Sequence, residues 1–110
     1  MKWSIEYYIP ELEEEILELP EGLLARYLHL TKLMLEFGSN LGMPHTQAIN
    51  KGLFELRLKS KEGIARVFYC TKIGKRIVML HVFVKKTQKT PKKELKLATQ
   101  RMNEVSNNEP

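Results

Sequence analysis

The sequence predicts an α+β domain: a mainly antiparallel sheet packed by two N-terminal helices, with one more helix at the C-terminal end. Three observations carry this. From Phe54 to Lys59 polar and apolar residues alternate, so Glu55, Arg57 and Lys59 point to one face of a strand and Phe54, Leu56 and Leu58 to the other. Two runs rich in β-branched and aromatic residues, 64–71 and 76–84, follow across turn signals at Ser60 to Gly63 and at Ile73-Gly74-Lys75, completing a three-stranded meander. Upstream, between Pro10 and Phe37, apolar residues recur every three or four positions, the period of helices that cover one face of a sheet. One sheet face is then greasy and the other cationic, and the cationic one has to meet water or a polyanion.

In chain order, Trp3 to Tyr8 mixes aromatic and β-branched residues and ends near Pro10, as a strand that opens the sheet. Pro10 suits a first helical position, Glu11, Glu13 and Glu14 complement the positive end of the helix dipole, and Leu12, Ile16 and Leu19 make the apolar stripe of a helix over 10–19. A longer helix runs from Glu21 to Phe37 and stops at Gly38. Its apolar band is too broad for one contact, so part of it is expected to face the first helix or a partner protein. Residues 38–50, rich in Gly, Ser, Asn and Pro, read as a loop before the strand that starts at Gly52. After the meander, Thr90 is the expected N-cap and Pro91 the first residue of a helix reaching about Val105. The order is strand, helix, helix, strand, strand, strand, helix.

With 110 residues the chain fits one domain: an N-terminal strand, two helices and a loop (1–50), a basic meander (51–90), the C-terminal helix (91–105) and a frayed tail (106–110). The longest apolar stretch, around Ile77 to Val84, is far below the ~20 residues of a membrane span. No secretory signal opens the chain and Cys70 is the single cysteine, which predicts a reducing, cytoplasmic home. The net charge of +5 is uneven: residues 1–50 hold three Lys/Arg against eight Glu, and residues 51–110 hold fifteen against five. A field of that kind attracts nucleic acid.

Several chemistries fall away. Three dispersed histidines (His29, His45, His81), one cysteine and no aspartate give no ligand spacing for a metal, and no Gly-rich phosphate loop follows a strand, so neither metal nor cofactor is expected. What remains is a lattice of positive charge: Arg57 and Lys59 on one strand, Arg66 on the next, and Lys85, Lys86 and Lys89 where the last strand leads to a helix opening with Lys92 and Lys93. Such side chains bind phosphate, arginine by a planar fork and lysine as a point charge. They also suit RNA cleavage, in which the substrate's own 2′-hydroxyl attacks and the protein stabilises charge and moves protons. Arg57 and Arg66 would serve the charge; Lys59, Lys85 or Lys86, each crowded by other cations, would serve as base, with Tyr69 or His81 as weaker alternatives. His81 reads first as a hydrogen-bonded structural residue, Tyr69 as facing the core with Val67, and Cys70 as a small buried hydrophobe.

The strings Leu53-Phe54-Glu55-Leu56-Arg57, Ala65-Arg66-Val67-Phe68-Tyr69 and Leu80-His81-Val82-Phe83-Val84-Lys85-Lys86-Thr87-Gln88-Lys89-Thr90-Pro91 resemble the RelE/ParE toxin superfamily, in particular its phage-derived HigB-like branch. The resemblance spans nearly the whole chain. It implies a RelE-like fold and the toxin of a type II toxin–antitoxin pair: a ribosome-dependent, metal-independent endoribonuclease that cuts messenger RNA in the A site. It also implies a HigA-like helix-turn-helix antitoxin, hence a hetero-oligomer, with no membrane involved. The family's basic strand position falls on Arg57 and Lys59, its phosphate-contacting arginine on Arg66, and its late basic position on Lys85 or Lys86. The chain departs from the family in having no aromatic and no histidine from Lys86 to Pro110, where relatives carry a proton-transfer or stacking group. Either a lysine or His81 takes that role, or cleavage is weak. Two competing readings are a non-enzymatic gyrase inhibitor of the ParE kind and a plain basic nucleic-acid-binding module.

Overall fold

The alternation at 54–59 becomes the third strand of a five-stranded sheet in the computed structural model, which describes residues 2–86 and 89–108. The elements are β1 (Ser4–Tyr7), α1 (Pro10–Leu17), α2 (Glu21–Phe37), β2 (Thr46–Asn50), β3 (Leu53–Ser60), β4 (Gly63–Lys72), β5 (Arg76–Lys85) and α3 (Lys92–Asn107). Strand order is β1-β5-β4-β3-β2, with β1 parallel to β5 and every other pair antiparallel. The expected α+β architecture is present, and the meander β3-β4-β5 forms its centre.

The two N-terminal helices cover one face. Leu12 and Ile16 of α1 and Leu23, Tyr27, Leu30 and Met34 of α2, spaced by three and four, pack on Leu56, Leu58, Ala65, Val67, Tyr69, Ile77 and Met79. Each such side chain contributes roughly 1.5–3 kcal/mol when fully buried. Pro10 occupies the first turn of α1, with Glu11 and Glu13 beside it. Gly38 ends α2 at φ 109°, a backbone setting that favours glycine, and its N–H donates to the Met34 carbonyl at 2.9 Å. The breadth of the α2 band shows as Leu28, Leu35 and Phe37 left exposed, Phe37 at 70%.

Three details differ from the expectation. Residues 46–50 form an edge strand, β2, rather than loop. Their short, polar, mostly exposed run carries no alternation, and their pairing with β3 is irregular between Ala48 and Asn50. The second sheet face is only partly cationic: its other part is apolar and lies under α3, where Leu95, Ala98, Met102 and Val105 meet Leu53, Phe68, Cys70, Val78 and Leu80. Finally, α3 begins at Lys92 with Pro91 in the cap position and no side-chain cap, so Thr90 does not cap it, and the helix continues through Ser106 and Asn107. Thr87 and Gln88 of the basic string, and Glu109 and Pro110 of the tail, lie outside the described residues.

An irregularity in β5 sets which way its second half points. Phe68 lies opposite His81 and Tyr69 opposite Met79, which leaves Leu80 as an extra residue. Leu80 and His81 therefore both turn toward α3. Beyond them Val82 returns to the α1/α2 side, and Phe83 and Lys85 join the α3 side. No helix among the described residues is long and apolar enough to cross a membrane.

Candidate functional site

The site arises where β2 stops. Thr46 lies opposite Leu56, and one further bond ties the strands, from the Arg57 N–H to the His45 carbonyl at 2.8 Å. Past that point the edge of β3 is open. A cleft of about 360 Å³ occupies the opening, lined by Arg26 of α2, Pro44 and His45 of the preceding loop, Arg57 and Lys59 of β3, and Ile64 and Arg66 of β4.

The loop wall is fixed from within. Thr46 Oγ1 accepts from the Gly42 N–H at 2.8 Å and donates to Asn40 Oδ1 at 3.1 Å, while the His45 and Thr46 N–H groups both donate to the Gly42 carbonyl. Beneath it, the Tyr69 hydroxyl donates to the Ser39 carbonyl at 2.5 Å. Tyr69 is fully buried in the α1/α2 core with Val67, and burial pushes its phenol up to about 12, so it clamps the loop and keeps its proton at neutral pH.

Two of the lining residues, Arg57 and Arg66, belong to a charged triad. Arg57 and Arg66 stand directly opposite each other on β3 and β4, and Glu55, one pleat away on the same face, lies between them. Glu55 Oε1 is 3.4 Å from Arg66 Nε and Glu55 Oε2 is 3.9 Å from Arg57 Nε. Both Glu55 and Arg66 are only 5% exposed, and Arg66 Nη1 donates to the Ala65 carbonyl at 3.1 Å. Burial holds the Arg66 guanidinium below the usual arginine range; Glu55 opposes the shift and Arg57 adds to it. Guanidinium is so strong a base that Arg66 stays charged all the same. Arg57 reaches the surface, with Nη1 3.5 Å from Met43 Sδ.

Lys85 shares this face, opposite Ile64 at the rim. Desolvation lowers its pKa, the Arg66 and Arg57 charges lower it further, and Glu55 works against them. Lys86, Lys89, Lys92 and Lys93 are exposed beyond the end of β5 and on the first turn of α3. Lys92 borders a different groove, of about 490 Å³, between α3 and Asn50. His81 is not among the cleft residues: its Nε2 is 3.2 Å from Glu94 Oε1 and its ring stacks near Phe83, joining β5 to the start of α3. Among the described residues no three His, Cys, Asp or Glu side chains group as a metal site.

The structure thus gathers Arg57, Lys59 and Arg66, places Lys85 beside them, and sets the remaining lysines and His81 apart. Sequence reasoning missed Arg26, Pro44 and His45, which reach the cleft only through tertiary contacts. It left Glu55 without a role, although the period-2 pattern already put that residue on the face of Arg57 and Lys59.

Fold and site define a small α+β protein with a cationic cleft at the open edge of its sheet. The Gp49-like family of phage-derived proteins (DUF891) matches residues 14–103, and the chain belongs to that family. A comparison with curated proteins gives no match.

Proposed function

We propose that this protein is the toxin of a type II toxin–antitoxin pair and cleaves messenger RNA on the ribosome, in the manner of the RelE/ParE superfamily it resembles. The observation that carries the reading is the convergence of Arg57, Lys59 and Arg66, from two strands, on one cleft that a phosphodiester can enter. Membership in a phage-derived family agrees with it.

The reaction needs little from the protein. The 2′-hydroxyl attacks the adjacent phosphorus and the 5′-oxygen leaves, giving a 2′,3′-cyclic phosphate and a 5′-hydroxyl. Arg57 and Arg66 stabilise the charge that builds on the phosphoryl oxygens. A base takes the 2′-proton and an acid supplies one to the leaving oxygen. Lys59, Lys85 and His45 are the groups at hand, the last being the only imidazole of the cleft. Lys86, Lys89, Lys92 and Lys93 extend the field along the RNA. The exposed Leu28, Leu35 and Phe37 offer apolar surface to a helix-turn-helix antitoxin. The protein acts in the cytoplasm, where its ribosomal target is.

The test is to induce the protein and map message 5′ ends by primer extension, with and without a translation inhibitor. New ends inside coding regions that vanish with the inhibitor are expected. Intact messages with DNA damage would replace this reading by gyrase poisoning, and neither effect would leave only nucleic-acid binding.

A further inference from the structure

Glu55 is a carboxylate set against two of the four cations, Arg57 and Arg66, that line the cleft with Pro44, His45 and Ile64, on the face where an anion is to bind. Two arginines directly across an antiparallel pair repel, and a single acid between them relieves the repulsion. Charge balance alone does not explain how the acid is placed. Each of its oxygens faces the Nε of a different arginine, at 3.4 Å from Arg66 and 3.9 Å from Arg57. A guanidinium is a flat fork: a carboxylate held on its Nε side leaves the outer N–H groups for another anion. Arg66 Nη1 also donates to the Ala65 carbonyl and Arg57 Nη1 lies 3.5 Å from Met43 Sδ, so one hydrogen on each of these nitrogens and those of Nη2 remain. Both distances are long, and Glu55 Oε1 and Arg66 Nε are buried without a hydrogen-bond partner among the described residues. Buried polar atoms are ordinarily paired, so this pair stands short of a complete hydrogen bond.

From this we infer that Glu55 is a positioning residue: it holds Arg57 and Arg66 by their Nε sides so that their outer N–H groups present one two-armed cradle to a phosphodiester. The inference rests on the cleft being the RNA phosphate site. A phosphodiester on the outer side offsets the repulsion between the two guanidinium groups, and both then close on Glu55 to hydrogen-bonding distance. Catalytic contacts that are loose in the free enzyme commonly tighten in this way.

Positioning and simple neutralisation differ in sign. Removing the carboxylate charge raises the positive potential of the cleft, so on electrostatics alone Glu55→Gln should hold an anion more tightly and lose nothing. With a positioning role, the variant still binds but its arginines are misaimed, which costs turnover.

The experiment uses the full chain, 15N-labelled, as wild type and as Glu55→Gln. In the wild type, titration with inorganic phosphate or a 2′-O-methyl trinucleotide should shift the Arg57 and Arg66 Nε–H resonances and slow their exchange with water. In Glu55→Gln that protection is lost, phosphate binds at least as tightly, and cleavage of ribosome-bound message falls about 10- to 100-fold in kcat with KM no higher. Glu55→Asp, with the charge kept and the reach shortened, should fall between the two. Unchanged kcat in folded Glu55→Gln, or wild-type Nε–H resonances indifferent to phosphate, overturns the inference, and the second measurement stands even if both variants fail to fold. Wild-type protein that cuts no RNA while phosphate still moves those resonances would sink the ribonuclease reading and leave the cradle. Cleavage that survives Glu55→Gln would do the reverse.

Discussion

Arg66→Ala is the obvious test of a phosphate-binding arginine, and here it tests the fold as well. Arg66 and Glu55 are each 5% exposed and face each other across 3.4 Å. Truncating the arginine leaves a buried carboxylate opposite Phe68 on the neighbouring strand. Breaking a buried pair in this way costs ~3–5 kcal/mol. Arg57 remains 3.9 Å from the other carboxylate oxygen and partly compensates, which favours the lower end of that range. At about 4–6 °C per kcal/mol for a domain of this size, the midpoint should drop by roughly 12–18 °C. Thermal unfolding followed by circular dichroism measures it. The double variant Glu55→Leu/Arg66→Met removes both charges and should recover most of the loss, because apolar replacement of a whole buried pair is often neutral. An Arg66→Ala midpoint within about 3 °C of wild type would refute the claim that the pair is desolvated. Lost toxicity in Arg66→Ala therefore proves nothing about phosphate until the protein is shown to be folded.

Arg57→Ala separates the two effects: its side chain is 31% exposed and its ion pair long, so stability should change by less than about 1 kcal/mol while message cleavage drops about 100-fold or more. Ala98 is fully buried where α3 meets the sheet, and Ala98→Leu should cost ~1–3 kcal/mol by overpacking, read as a lower denaturation midpoint. Glu6 carries a pKa below 4.5, first through its hydrogen bond from Arg76 and then through the Arg76 and Lys72 charges. The folded state binds that proton more weakly than the unfolded chain, so the clamp between β1 and β5 is fully present above about pH 4.5 and is lost as pH falls through the lowered value. Glu6→Gln should remove this part of the acid dependence, measured as stability between pH 6 and 3.

Most elements were legible because their signals are local. Pro10 and Gly38 delimit α1 and α2, Gly74 marks the β4–β5 turn, and the alternation from Phe54 to Lys59 assigned those side chains of β3 to the faces they occupy. β2 was not legible, since an exposed edge of five residues needs no apolar pattern. The site was half legible. Arg57, Lys59 and Arg66 stand on strands whose pairing can be inferred, so their meeting could be expected. Arg26 and His45 come from a helix and a loop whose docking depends on the whole core, and no spacing encodes that. The α3 side of the sheet misled for a related reason: Phe68, Cys70, Val78 and Leu80 sit on the same face as the arginines, and only the docked helix divides that face into dry and charged parts.

Leu80 has a consequence for how this protein could lose its charge pattern. Strict alternation from Met79 would send His81, Phe83 and Lys85 toward α1 and α2, and Val82 and Val84 toward the arginines. One supernumerary residue reverses that phase. Straightening β5 there with Leu80 retained would thus exchange a lysine for a valine at the cleft rim and thrust an ammonium group against the opposite core, with no basic residue replaced, whereas excising Leu80 would leave the phase beyond it unchanged. The cationic rim therefore depends on the bulge itself as much as on any basic side chain.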